Sequence, residues 1–86
     1  MSDNIQETIT ELVSEALILR GITAKPSPDM SLIDSNLLDS LSIVTFVGKL
    51  EIAFDITISM SDLTLENFDS IQLITELVKL KKLSRL

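Results

Sequence analysis

With 86 residues, 45% of them hydrophobic but only three Phe and no Trp or Tyr, the chain reads as a single domain over residues 1–86. It buries about 60–65% of its unfolded surface around Leu, Ile and Val. The absence of both Cys and His excludes disulfides, thiolate and imidazole metal ligands and the commonest nucleophile and general base, so catalysis by this chain alone is not expected. The net charge of −6 is uneven: between residues 28 and 70 eight acids face Lys49 alone, which disfavours nucleic acid and favours a basic partner.

From Ile5 the apolar residues Ile5, Ile9, Leu12, Val13, Ala16 and Leu19 recur at helical spacing, predicting a helix over residues 3–20. Ser2 or Asp3 is its expected cap, and Gly21 its left-handed stop. Asp3, Glu7, Glu11 and Glu15 form a like-charged line that is read as a solvent face. The stretch "ITAKPSPDMSLIDSNLL" then has no helical period. It predicts a loop of unusual length, pinned by Leu32, Ile33, Leu37 and Leu38.

Ile43, Val47, Leu50 and Phe54, widened by Val44 and Phe46, predict a second helix over residues 40–54 with Asp39 as N-cap. The alternation Ile56, Thr57, Ile58 is strand-like but has no second strand to pair with, so a loop and a short helix over residues 65–68 are expected instead. Asp69 or Ser70 caps a last helix carrying Ile71, Ile74, Leu77 and Val78, which ends near Lys82 among basic residues that include Arg85. The fold class expected is all-α: three main helices, a short third one and a long first loop. The N-terminus lacks the marks of a signal peptide and no apolar run approaches the ~20 residues of a membrane span. A cytoplasmic protein with no membrane insertion is expected.

Asp-Ser occurs three times, at residues 34–35, 39–40 and 69–70. A Ser at the start of a helix is ordinarily a cap. Ser40 differs because Asp39 already serves that purpose, leaving a hydroxyl at the positive end of a helix, where a phosphate ester is favoured. The stretch "LIDSNLLDSLSIVTFVGKLEIAFDITI" resembles the signature of the acyl carrier protein family, with Asp39, Ser40, Leu41, Val44, Val47, Leu50, Glu51, Phe54 and Ile58 at the positions that carry it. The flanking helices fall in family order, and "DSNLLDSL" with "SDLTLENFDSI" is similar to small stand-alone aminoacyl carriers such as D-alanyl carrier proteins. Asn36 stands where that group often has Gly, and Asn tolerates left-handed geometry.

The resemblance implies a 4'-phosphopantetheine arm on Ser40, transferred from coenzyme A by a phosphopantetheinyl transferase. Asp39 would cap the helix and Leu41 would touch the arm. It implies a stand-alone carrier that holds an acyl or aminoacyl thioester loaded by an adenylating ligase or acyltransferase and passed to a downstream acceptor enzyme. A polyketide, peptide-synthetase or fatty-acid pathway carrier is the nearest alternative, and an unmodified helical adaptor the alternative of another class. Partner contacts are expected at Leu41, Thr45, Gly48, Glu51, Ile52 and Ile58. Fatty-acid carriers bear several acids on this face, whereas here only Glu51 remains, which points to a specialised, more apolar interface. No metal site is expected: the spacing of Asp34, Asn36 and Asp39 does not fit a calcium loop.

Overall fold

The computed structural model describes residues 3–23 and 25–84, with the side chains of residues 3, 4, 40 and 84 outside the described set. It contains three α-helices, α1 (Asp3–Leu19), α2 (Ser40–Phe54) and α3 (Ile71–Ser84), with α1 packed against both α2 and α3. The expected short helix is a 3-10 turn, Glu66–Phe68, preceded by a second such turn, Met60–Asp62. No strand occurs among the described residues. Ile56 and Ile58 are buried and Thr57 exposed, so the alternation is one of burial in a single extended segment.

On α1, Ile9, Val13 and Leu17 are fully buried, each four residues from the last. Leu17 takes the place expected of Leu19, which is 77% exposed. The helix ends on a Schellman motif: Gly21, at φ 81°, donates to the Ile18 carbonyl at 2.9 Å and Ile22 donates to the Leu17 carbonyl at 2.8 Å. The caps proposed for its start, Ser2 and the Asp3 side chain, lie outside the described residues, as does Arg85.

The long loop has a core of its own. Leu32, Leu37 and Leu38 are buried and Ile33 half-buried. The Leu32 carbonyl accepts from the N–H groups of Leu37 at 2.9 Å and Leu38 at 3.0 Å. Asp69 ties this knot to α3: its carbonyl accepts from the Leu32 N–H, and its Oδ1 accepts from Ser31 Oγ at 2.6 Å and the Ile33 N–H at 3.2 Å. Ser70 is therefore the helix cap, its Oγ accepting from the Leu73 N–H at 3.1 Å. Asp69→Ala leaves two loop donors without their acceptor and is expected to cost about 1–3 kcal/mol, read as a lower urea midpoint at unchanged m-value.

Ile43, Phe46, Val47 and Leu50 form the buried face of α2; Phe54 is half-buried. Val44, expected to widen that face, is 64% exposed, because it lies on the side of α2 that turns away from the core. Ile71, Ile74, Leu77 and Val78 of α3 complete the interior as expected. The basic end of α3 is tied down by tertiary contacts: Lys81 pairs with Asp62, and Lys82 Nζ lies 5.8 Å from the centroid of the Phe54 ring.

The bond from Lys81, with a second from Ser59, lowers the Asp62 carboxyl from 3.8 to about 2. A carboxylate whose pKa is depressed on folding stabilises fully above its unfolded pKa and loses that contribution as pH falls through the folded value. Urea midpoints are thus expected to drop between pH ~4 and ~2, more steeply in the wild type than in Asp62→Asn.

Candidate functional site

Three features converge at the start of α2. Asn36 turns the chain with φ 61°, the left-handed geometry expected of it. Asp39 follows in extended conformation (φ −129°, ψ −178°) and caps the helix, its Oδ1 accepting from the Ser42 N–H at 2.8 Å. Ser40 is the first helical residue; its side chain lies outside the described set. The other two Asp-Ser pairs have separate work. Ser70 caps α3, and Ser35 Oγ donates to the Ser31 carbonyl within the loop.

Arg20, which the sequence reading did not single out, completes the corner. Its Nη1 donates to the Leu37 carbonyl at 2.5 Å and its Nη2 stands 3.9 Å from Asp39 Oδ2. The turn that follows α1 is thereby fastened to the N-cap of α2. Its partners lie 17 and 19 residues away across a loop without periodicity, so no local signal marks it. The Ser42 N–H and hydroxyl hold the Asp39 carboxyl below its ordinary range, with Arg20 adding to the effect, so Asp39 is a carboxylate at neutral pH. The first turn of α2 contains no acid of its own. Free helical N–H groups, the helix dipole and a neighbouring guanidinium make this corner suited to a phosphate ester on residue 40.

The expected partner residues divide. Leu41 at 81% and Ile52 at 86% exposure share an outward face of α2 with Thr45, Gly48 and Val44. Ile58 is not on that face but in the core, at 7% exposure. Glu51 is half-buried, and its Oε2 accepts from the Ile58 N–H at 2.8 Å while its carbonyl accepts from Asp55 and Ile56. It closes the C-terminus of α2 around Asp55, whose φ of 53° forms the left-handed cap. Glu51→Ala is expected to lower stability by ~1 kcal/mol through the loss of this bond, seen in urea unfolding with no partner present.

Among the described residues no helix is long and apolar enough to cross a membrane, and no group of three acids converges as metal ligands would. No curated protein matches the chain. A family model described as the phosphopantetheine attachment site matches residues 7–78, running from the first turns of α1 to the buried Val78 of α3. With a helical bundle of the expected order and a phosphate-compatible helix start inside the matched segment, the chain belongs to the phosphopantetheine attachment site family, whose members carry the group covalently for other enzymes and are not catalysts themselves.

Proposed function

We propose that Ser40 is the attachment point and that residues 1–86 act as one carrier domain, holding an acyl or aminoacyl group as a thioester for delivery to an acceptor enzyme. The observation that carries this reading is the division of labour at the start of α2. Asp39 supplies the cap of α2, and Ser40 follows it as the first helical residue. The arm, once attached, supplies the thiol that a chain without Cys lacks. What the protein contributes is placement. Asp39 and Arg20 hold the α2 start against α1, the helix terminus stabilises the phosphodiester charge, and the bundle presents the tether so that the cargo is concentrated near successive partners.

Leu41, Thr45 and Ile52 form the docking face in this reading, with a partner surface more apolar than that of a fatty-acid enzyme. An adenylating ligase that loads a small acid, as for D-alanyl carriers, suits that face. A polyketide or peptide-synthetase pathway remains the alternative.

The test is intact mass after incubation with coenzyme A, Mg²⁺ and a broad-specificity phosphopantetheinyl transferase. The expected product carries one added phosphopantetheine. A chain that stays unmodified with every transferase tried, its native partner included, would be an adaptor that keeps the bundle without the group.

A further inference from the structure

The segment that delivers Ser40, residues 36–39, is held in two ways. Its shape is set locally: the Leu32 carbonyl accepts from the Leu37 and Leu38 N–H groups, Asp39 Oδ1 accepts from the Ser42 N–H, and the Asp39 carbonyl accepts from the Ile43 N–H at 2.9 Å. None of these bonds leaves residues 32–43, so they fold the corner without fixing where it sits against α1. Among the described residues, the polar tie from the α1 side is Arg20 alone. Its Nη1 holds the Leu37 carbonyl, two residues before the N-cap, and its Nη2 faces Oδ2, the Asp39 oxygen that the cap leaves over. The base of the side chain is anchored as well. Arg20 donates its own N–H to the Leu17 carbonyl at 3.0 Å and directly precedes Gly21 in the Schellman turn. A planar guanidinium spans a carbonyl and a carboxylate at once in fixed geometry; an ammonium on a flexible stem does not.

We infer that Arg20 is a positioning residue for the loading reaction: by fixing the Leu37–Asp39 corner against α1, it sets where Ser40 meets the pyrophosphate of coenzyme A. Arg20 acts through Leu37 and Asp39 and not on the reacting atoms. In the step it serves, Ser40 Oγ forms a bond to the phosphorus that bears the pantetheine, and the bond from that phosphorus to the bridging oxygen breaks. Adenosine 3',5'-bisphosphate departs with the electron pair, and the Ser40 proton passes to a base of the transferase. A misplacement of about 1 Å at a reacting centre costs up to ~10²-fold in rate. The local bonds of the corner survive the loss of Arg20, so a smaller effect is expected. The inference rests on Ser40 as the attachment point, and its test separates the two.

The test is the kinetics of loading with coenzyme A, Mg²⁺ and a broad-specificity phosphopantetheinyl transferase, the carrier concentration being varied. Wild type, Arg20→Gln, Arg20→Lys and Lys81→Gln are compared, each checked by circular dichroism to be folded. Arg20→Gln is expected to lower kcat about tenfold with KM changed by less than about twofold, the split that marks a group acting on the transition state and not on docking. Arg20→Lys keeps the charge beside Asp39 but reaches one acceptor at a time, so it is expected to restore kcat to about threefold below the wild type. Lys81→Gln breaks the pair with Asp62 and controls for lost stability; it is expected to load at the wild-type rate. Amide exchange of Leu37 and Leu38 is expected to quicken in Arg20→Gln while that of Ile74 and Val78 is unchanged. Wild-type kcat in Arg20→Gln, a loss carried by KM alone, or an equal loss in Lys81→Gln would overturn the positioning role while leaving Ser40 in place. A wild type that gains no mass with any transferase, its native partner included, would overturn both.

Discussion

Ser40→Ala is expected to take up no phosphopantetheine under conditions in which the wild type is fully converted, an all-or-none difference in intact mass. The size of the effect follows from the chemistry: a covalent bond to one hydroxyl has no partial substitute. The folding cost is expected to be small, because the cap of α2 is the Asp39 carboxylate and the helical N–H of Ser42 keeps its acceptor. Circular dichroism on the variant separates lost attachment from lost structure. Ser35→Ala and Ser42→Ala serve as neighbours on either side. Both are expected to load normally, since Ser35 is committed to the Ser31 carbonyl and the Ser42 N–H, the larger of that residue's two ties to Asp39, survives the substitution. Continued mass gain in Ser40→Ala would move the attachment point elsewhere and remove the reason for a capped helix start at residue 39.

The largest loss of stability is expected from Leu32→Ala, at about 2–5 kcal/mol, measured by urea unfolding. Leu32 is fully buried although it lies in a loop, and its peptide groups are equally committed. The N–H bonds to Asp69 and the carbonyl accepts from both Leu37 and Leu38. Truncation leaves a cavity at the one point where the long loop, the start of α3 and the approach to α2 meet. For a chain of this size total stability is roughly 4–13 kcal/mol, so the variant approaches the threshold of unfolding. The loss is expected to exceed that of Asp69→Ala, which removes polar ties from the same knot without opening the core. The reverse order would mean that the loop is held by its hydrogen bonds and that Leu32 packs loosely.

Much of this molecule was legible before any coordinates. The three helices follow from apolar spacing, Gly21 and Asp39 mark ends that a left-handed cap and an N-cap require, and the Ile56 to Ile58 alternation is correctly refused as a strand because no strand pairs with it among the described residues. The family, too, was readable from Asp39, Ser40 and Leu41 with the apolar series after them, since a motif in sequence register needs no distant partner.

Periodicity failed where two positions on one helix compete for the same face. Leu17 rather than Leu19 enters the core, and Val44 faces outward, because the direction of a stripe is set by the helix it packs on. It was silent on Arg20, whose partners are brought near only when the loop folds over, and on Asp69, which looks like a cap and instead holds the loop while Ser70 caps. Glu51 and Ile58 read as partner contacts; the folded chain joins them to each other and turns Ile58 inward. Local propensity and the attachment motif are properties of adjacent residues and were set by the sequence alone. The duties of Arg20, Asp69, Glu51 and Lys81 were decided only by tertiary structure, because a charged side chain takes its role from whichever distant donor or acceptor the packed core places beside it.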